Sequence, residues 1–109
     1  MKVYVAGPMT GNTMVANVRR AIVAADALLE AGHAPFVPHL FYFWNQIREH
    51  SYEMWMDLDL RWLKACDAIV RLPGESPGAD REVAAARHLA IPVFEGVDAF
   101  LSEHPRKTV

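Results

Sequence analysis

Short apolar runs alternate along this chain with longer segments in which apolar residues return every three or four positions. Residues 2–6 form a β-rich run that Gly7-Pro8 stops. Asn12 or Thr13 can then cap a helix that runs to about residue 31. Its positions Met14, Val18, Ala21, Ile22, Ala25, Leu28 and Leu29 keep helical spacing, and Gly32 supplies the stop. Residues 34–38 read as a second strand, kept short by bracketing prolines. Residues 39–50 follow neither period and place Phe41, Tyr42, Phe43 and Trp44 side by side. Ser51 caps a helix to about residue 65, and 67–72 is a third strand. A turn-rich loop over 73–78 leads into a helix through about residue 89. Residues 91–94 form a fourth strand, and a short helix covers 97–102.

This β-α-β order predicts an α/β fold with a mostly parallel sheet of four to five strands. Right-handed crossovers would put helices on both faces, giving three layers. Ligands in such sheets bind beyond the carboxyl ends of the strands. Two loops rich in small residues fall there: Gly7-Pro8-Met9-Thr10-Gly11 after the first strand, and 73–78 after the third.

Helical phase then singles out two acids. On the helix that starts near Tyr52, the residues Tyr52, Trp55, Met56, Trp62, Leu63 and Cys66 share one apolar stripe, with Asp59 in its middle. Glu53, Asp57, Arg61 and Lys64 gather on the opposite face. On the next helix Ala79, Val83, Ala86, Leu89 and Ala90 face the core, and Glu82 sits at the edge of that stripe. A carboxylate turned inward is costly unless it is paired, hydrogen-bonded or lining a cavity. Both acids lie near the expected ligand edge, where two carboxylates can divide nucleophilic and proton-carrying work. A purely structural, satisfied pair is the alternative.

Composition narrows the chemistry. The chain has 109 residues, enough for one domain spanning 1–109 and too few for a separate cofactor module. Apolar residues make up 52% and charged residues 22%, so a real core is available. A net charge of -2 gives no basic surface for a nucleic-acid polymer or a membrane. A single small anion remains possible, because a helix N-terminus can hold one. Ser76 is a good N-cap and Pro77 fits the first helical position. With the free amides of Gly78 and Ala79 the same turn makes an anion site. One cysteine, Cys66, allows no internal disulfide and reads as core, like Trp55 and Trp62. The five histidines lack metal-ligand spacing, and His39 reads as a surface or loop residue that could still reach the site. Phe41 to Trp44 suit a subunit interface, a hydrophobic lid or a stacking wall for a planar base. No leader or membrane span is expected, which points to the cytoplasm.

Three stretches resemble a known superfamily. Tyr4-Val5-Ala6-Gly7-Pro8-Met9-Thr10-Gly11 resembles the opening of nucleoside 2-deoxyribosyltransferases, most closely the small bacterial and phage branch labelled DUF4406. The run from Leu72 to Glu82 resembles that branch's second motif. Asp59 to Asp67 resembles the segment before the third strand in the related deoxynucleoside-monophosphate N-glycosidases. The resemblance implies a Rossmann-like or flavodoxin-like domain. It implies a catalytic Glu82 that attacks the anomeric carbon, an assisting Asp59, and a Tyr4 that orients the nucleophile. Gly7, Pro8, Met9, Gly11, Ser76, Gly78 and Ala79 would line the substrate pocket, with Ser76 at a 5′-phosphate. The implied partner is a small nucleoside or nucleotide, with no cofactor and no metal. The small size and the aromatic segment suggest a homo-oligomer, a dimer or larger. A non-catalytic nucleotide-binding module and a structural α/β subunit are the rival readings.

Overall fold

Burial in the central strands alternates strictly in destination, and this sets the layers. The computed structural model describes residues 1–9 and 14–106. Gly11 and the expected caps Asn12 and Thr13 lie outside the described residues. Among the described residues the order is β1 (Lys2–Ala6), α1 (Met14–Glu30), β2 (Ala34–Phe36), a 3-10 turn (Pro38–Leu40) and α2 (Phe41–Ile47). It continues with α3 (Tyr52–Leu63), β3 (Ala68–Arg71), α4 (Pro77–His88), β4 (Val93–Glu95) and α5 (Val97–Glu103). The four strands form one all-parallel sheet in the order β2-β1-β3-β4. Successive side chains on a strand point to opposite faces. Val3 and Val5 of β1 join Ala68 and Val70 of β3 in a core under α1 and Phe100 of α5. Tyr4, Ala6 and Ile69 point the other way, onto Leu63 of α3 and Ala79 and Ala86 of α4.

The fold is the α/β arrangement expected from the sequence, Rossmann-like or flavodoxin-like, with four strands. The chain leaves β1 for one edge and β3 for the other, so the helices that follow them lie on opposite faces. That reversal opens a crevice at the carboxyl ends of β1 and β3. Two close approaches hold its floor. A Cβ at Gly7 would stand 2.9 Å from the Leu72 Cβ, so glycine lets the end of β1 pass against the end of β3. Gly74, at φ +115°, would set a Cβ 2.8 Å from Pro8, so the two loops touch only because it is glycine.

Several sequence expectations need correction. Ile22 and Leu29 of α1 are exposed, and the buried line is Val18, Ala21, Ala24, Ala25 and Leu28. Both exposed residues sit roughly 80–100° from the middle of that line. Leu89 and Ala90 also leave the core. Helix α4 ends at His88, and Ala90 at φ 59° closes it. The Ile91 amide bonds to Ala86 O and the Ala90 amide to Arg87 O, the double bond pattern of a left-handed helix end. Ile91 is thus spent on the cap, and β4 begins at Val93 rather than 91. No described helix is long and apolar enough to cross a membrane.

Candidate active site

The crevice is a cleft of about 520 Å³. Gly7, Pro8 and Met9 line it from the β1 loop, Ser76, Gly78, Ala79 and Glu82 from α4, and Asp59 and Met56 from α3. Six of the seven expected substrate-binding residues therefore meet at one place, the seventh being the undescribed Gly11. Tyr4 lies beneath them, fully buried.

Glu82 and Asp59 are each 6% exposed, on two helices that pack together over the same sheet face. Ser51 starts α3 by accepting from the Met54 amide, and that start sets the phase that turns Asp59 inward with Met56 and Leu63. Ser76 starts α4 in the same way through the Ala79 amide at 3.1 Å, and Glu82 follows on its buried face. Arg81 pairs with Glu53 at 2.9 and 3.1 Å across the exposed seam of the two helices. Arg71, at the end of β3, donates to Leu72 O, to Gly74 O and to Asp80, pinning the loop before α4.

The two carboxyls differ in what surrounds them. Burial pushes Glu82 up to about 7, while the Tyr4 hydroxyl that donates to its Oε2 and the Arg71 cation pull it back. Burial also pushes Asp59 up to about 7, and the Glu82 charge adds to the rise. Oδ1 of Asp59 is buried with no hydrogen-bond partner among the described residues. Of one shared negative charge, Glu82 is therefore the stabler seat and Asp59 the stabler site for a proton. Tyr4 is pushed far above its ordinary value, first by burial and then by the Glu82 and Asp59 charges, so it remains a hydroxyl donor.

The helix start offers less than the sequence suggests. Pro77 has no N–H and the Ala79 amide is taken by Ser76, which leaves the Gly78 amide and the Ser76 hydroxyl hydrogen to face an anion.

His39 is a correction. It is not a surface residue: it is 2% exposed and lines the cleft. Its Nε2 donates to Pro8 O at 3.2 Å, and burial lowers its pKa against the pull of the Pro8 and Gly7 carbonyls. A neutral ring bonded through Nε2 presents Nδ1 as an acceptor, and that atom has no partner among the described residues. Its place two residues after Val37, at the carboxyl edge of β2, was the signal in the sequence.

The aromatic run divides between the cleft and the surface. Phe41 and Tyr42 line the cleft, whereas Phe43 and Trp44 face outward. Trp55 is half-buried and stacks on Phe41 with ring centres 5.4 Å apart. Trp62 is not core but half exposed, covering Phe36 at 5.6 Å. Tyr52 is exposed and lines the cleft rather than the core. Cys66 is only partly buried, and its thiol is pushed up to about 11 by burial and Asp67. Among the described residues no group of three His, Cys, Asp or Glu side chains is placed to hold a metal ion.

Comparison with known proteins agrees with this fold. Among solved structures the chain is similar to a 2-deoxyribosyltransferase from the psychrotolerant bacterium Bacillus psychrosaccharolyticus, at 26% identity and a TM-score of 0.63. The match covers 85% of this chain and 69% of that one. No curated protein matches. Residues 1–95 match the family described as a domain of unknown function, DUF4406. A family match over most of the chain, with that structural likeness, places it: the chain belongs to the DUF4406 family, within the nucleoside 2-deoxyribosyltransferase-like superfamily.

Proposed function

We propose that the protein cleaves the N-glycosidic bond of a (deoxy)nucleoside or its 5′-monophosphate. The observation that carries this is the buried Glu82, held by Tyr4 at the floor of an open cleft beside a second buried carboxyl. A Glu82 oxygen attacks C1′ as the C1′–N bond breaks, and the bonding pair leaves with the base. Asp59 gives that base its proton. The sugar is then held as an ester of Glu82. Water attacks C1′ with Asp59 taking its proton, or the nitrogen of a second base does so. The first route is hydrolysis, the second base transfer, and both free Glu82. Two carboxyls around an oxocarbenium-like centre do the same at O-glycosides. The similar structure is a 2-deoxyribosyltransferase, which supports this class of reaction.

Ser76 favours the 5′-monophosphate and, with it, hydrolysis. Its hydroxyl and the Gly78 amide stand at the start of a twelve-residue helix, where negative charge is stabilised. Ser76→Asp isolates this role, because aspartate caps a helix as well as serine does. We expect unchanged thermal stability. The ratio of kcat/KM for monophosphate over nucleoside should fall at least about 10-fold, since the new charge repels phosphate. An unchanged ratio would remove Ser76 from the phosphate site.

The reading as a whole is tested by incubating the protein with a panel of nucleosides and monophosphates and separating free base by chromatography. Base release with at least one substrate is expected. Tight nucleotide binding with no release would make the chain a binding module. The exposed Leu40, Phe43, Trp44 and Ile47 support self-association through this face, as a dimer or larger. A nucleotide substrate fits a cytoplasmic enzyme.

A further inference from the structure

Asn45 stands near the end of α2, and its amide is fixed at one end only. Oδ1 accepts from the Trp55 indole Nε1–H at 2.7 Å and from the His50 backbone N–H at 2.8 Å. Both partners can only donate. The oxygen must therefore face them, and the orientation of the amide is settled. Its Nδ2 carries no hydrogen bond among the described residues. Asn45 lines the cleft beside Phe41, Tyr42 and Trp55. Two rigidly held donors thus stand at the aromatic end of a cleft whose other parts are the α4 start and the buried acids. With a phosphate at the α4 start and C1′ at Glu82, the flat apolar end is left for the base. Among the described residues no other side chain at that end is held by two hydrogen bonds, here one from α3 and one from the loop before it.

We infer that Asn45 reads the nucleobase, donating to an exocyclic carbonyl and so selecting oxo-bases over amino-bases. The inference rests on the proposed glycosidic reaction for its substrate class. An amino group at the same edge meets N–H with N–H and leaves both unpaired in a partly dry site.

Asn45→Asp tests this sharply. One carboxylate oxygen still accepts from Trp55 and His50, so the local scaffold keeps its bonds, and the presented group changes from donor to acceptor. Inosine against adenosine and uridine against cytidine, each with its deoxy and monophosphate forms, differ at one exocyclic group and its ring tautomer. In the wild type kcat/KM should favour the oxo member of at least one pair about 10-fold or more, and N45D should reverse that preference. Wild-type ratios near one, or ratios that N45D leaves unchanged, overturn the assignment while base release continues. If no substrate releases base, the glycosidic reading fails by itself. Calorimetric binding of hypoxanthine against adenine, and of uracil against cytosine, then decides on Asn45 by the same preference and reversal. Should N45D not fold, parity in the wild type overturns the inference and an oxo preference upholds it.

Discussion

Glu82→Gln is expected to lower base release by about 10⁴-fold or more, the scale of losing the one attacking group in a covalent mechanism. Glutamine keeps the shape and still accepts from Tyr4, so substrate binding should persist. The same substitution should stabilise the fold in alkali. In the unfolded chain Glu82 ionises near 4.5, and in the fold only near 7. Below both values each state carries the proton, and the carboxyl makes no difference. As pH rises through this window the unfolded chain gives up its proton first, so wild-type stability falls. Glutamine has no proton to lose. Thermal denaturation at pH 8 should place E82Q above wild type by on the order of 3 kcal/mol. Near pH 4 the two should lie close together. Activity lost with stability gained is the mark of a group kept for chemistry. A variant that loses both at pH 8 would make Glu82 a structural acceptor, and the nucleophile assignment would fall.

The legible and illegible parts of this chain separate on physical grounds. Asp59 and Glu82 could be read because a charge at the wrong helical phase is conspicuous, and the phase was fixed by Ser51 and Ser76. The ligand edge could be read because β-α-β order and crossover handedness leave few topologies. Helical phase alone misled at Trp62, Tyr52, Ile22 and Leu29. It gives an angle, but not how wide the buried stripe is or where along the helix the sheet ends. His39 and Asn45 were harder to read for another reason, His39 showing only by its place after β2 and Asn45 not at all. Both lie in 39–50, where the sequence follows neither period, and each acquires its role from a distant partner: Pro8 for the ring, Trp55 for the amide. Ala90 was hidden because a left-handed alanine has no mark in sequence, unlike Gly32 at the end of α1.

Asp59→Asn separates the proton donor from the nucleophile. Loss of a general acid should lower base release about 10²–10⁴-fold on ordinary substrates. The loss should depend on the leaving group. A 7-methylpurine nucleoside already carries a positive charge on its base and departs neutral, with no proton required. On that substrate D59N should release the first equivalent of base at most of the wild-type rate and slow only afterwards, when the attacking water lacks Asp59 to take its proton, whereas E82Q should remain inactive. The pH profile gives an independent reading. In the wild type Glu82 must be ionised and Asp59 protonated, and both titrate near 7. Activity should therefore form a narrow bell about neutral pH, falling in acid as Glu82 gains a proton and in alkali as Asp59 loses one. D59N removes the alkaline fall and leaves the acid one. The acid fall should stay in place, because Asp59 is already protonated and neutral over that limb and Glu82 is raised by its own burial. If D59N is equally impaired in the first turnover of the 7-methyl substrate and its alkaline fall persists, then Asp59 orients the sugar instead of protonating the base. Its unpartnered Oδ1 would then be an acceptor for a sugar hydroxyl, a role that burial and position allow equally and only the leaving group can tell apart.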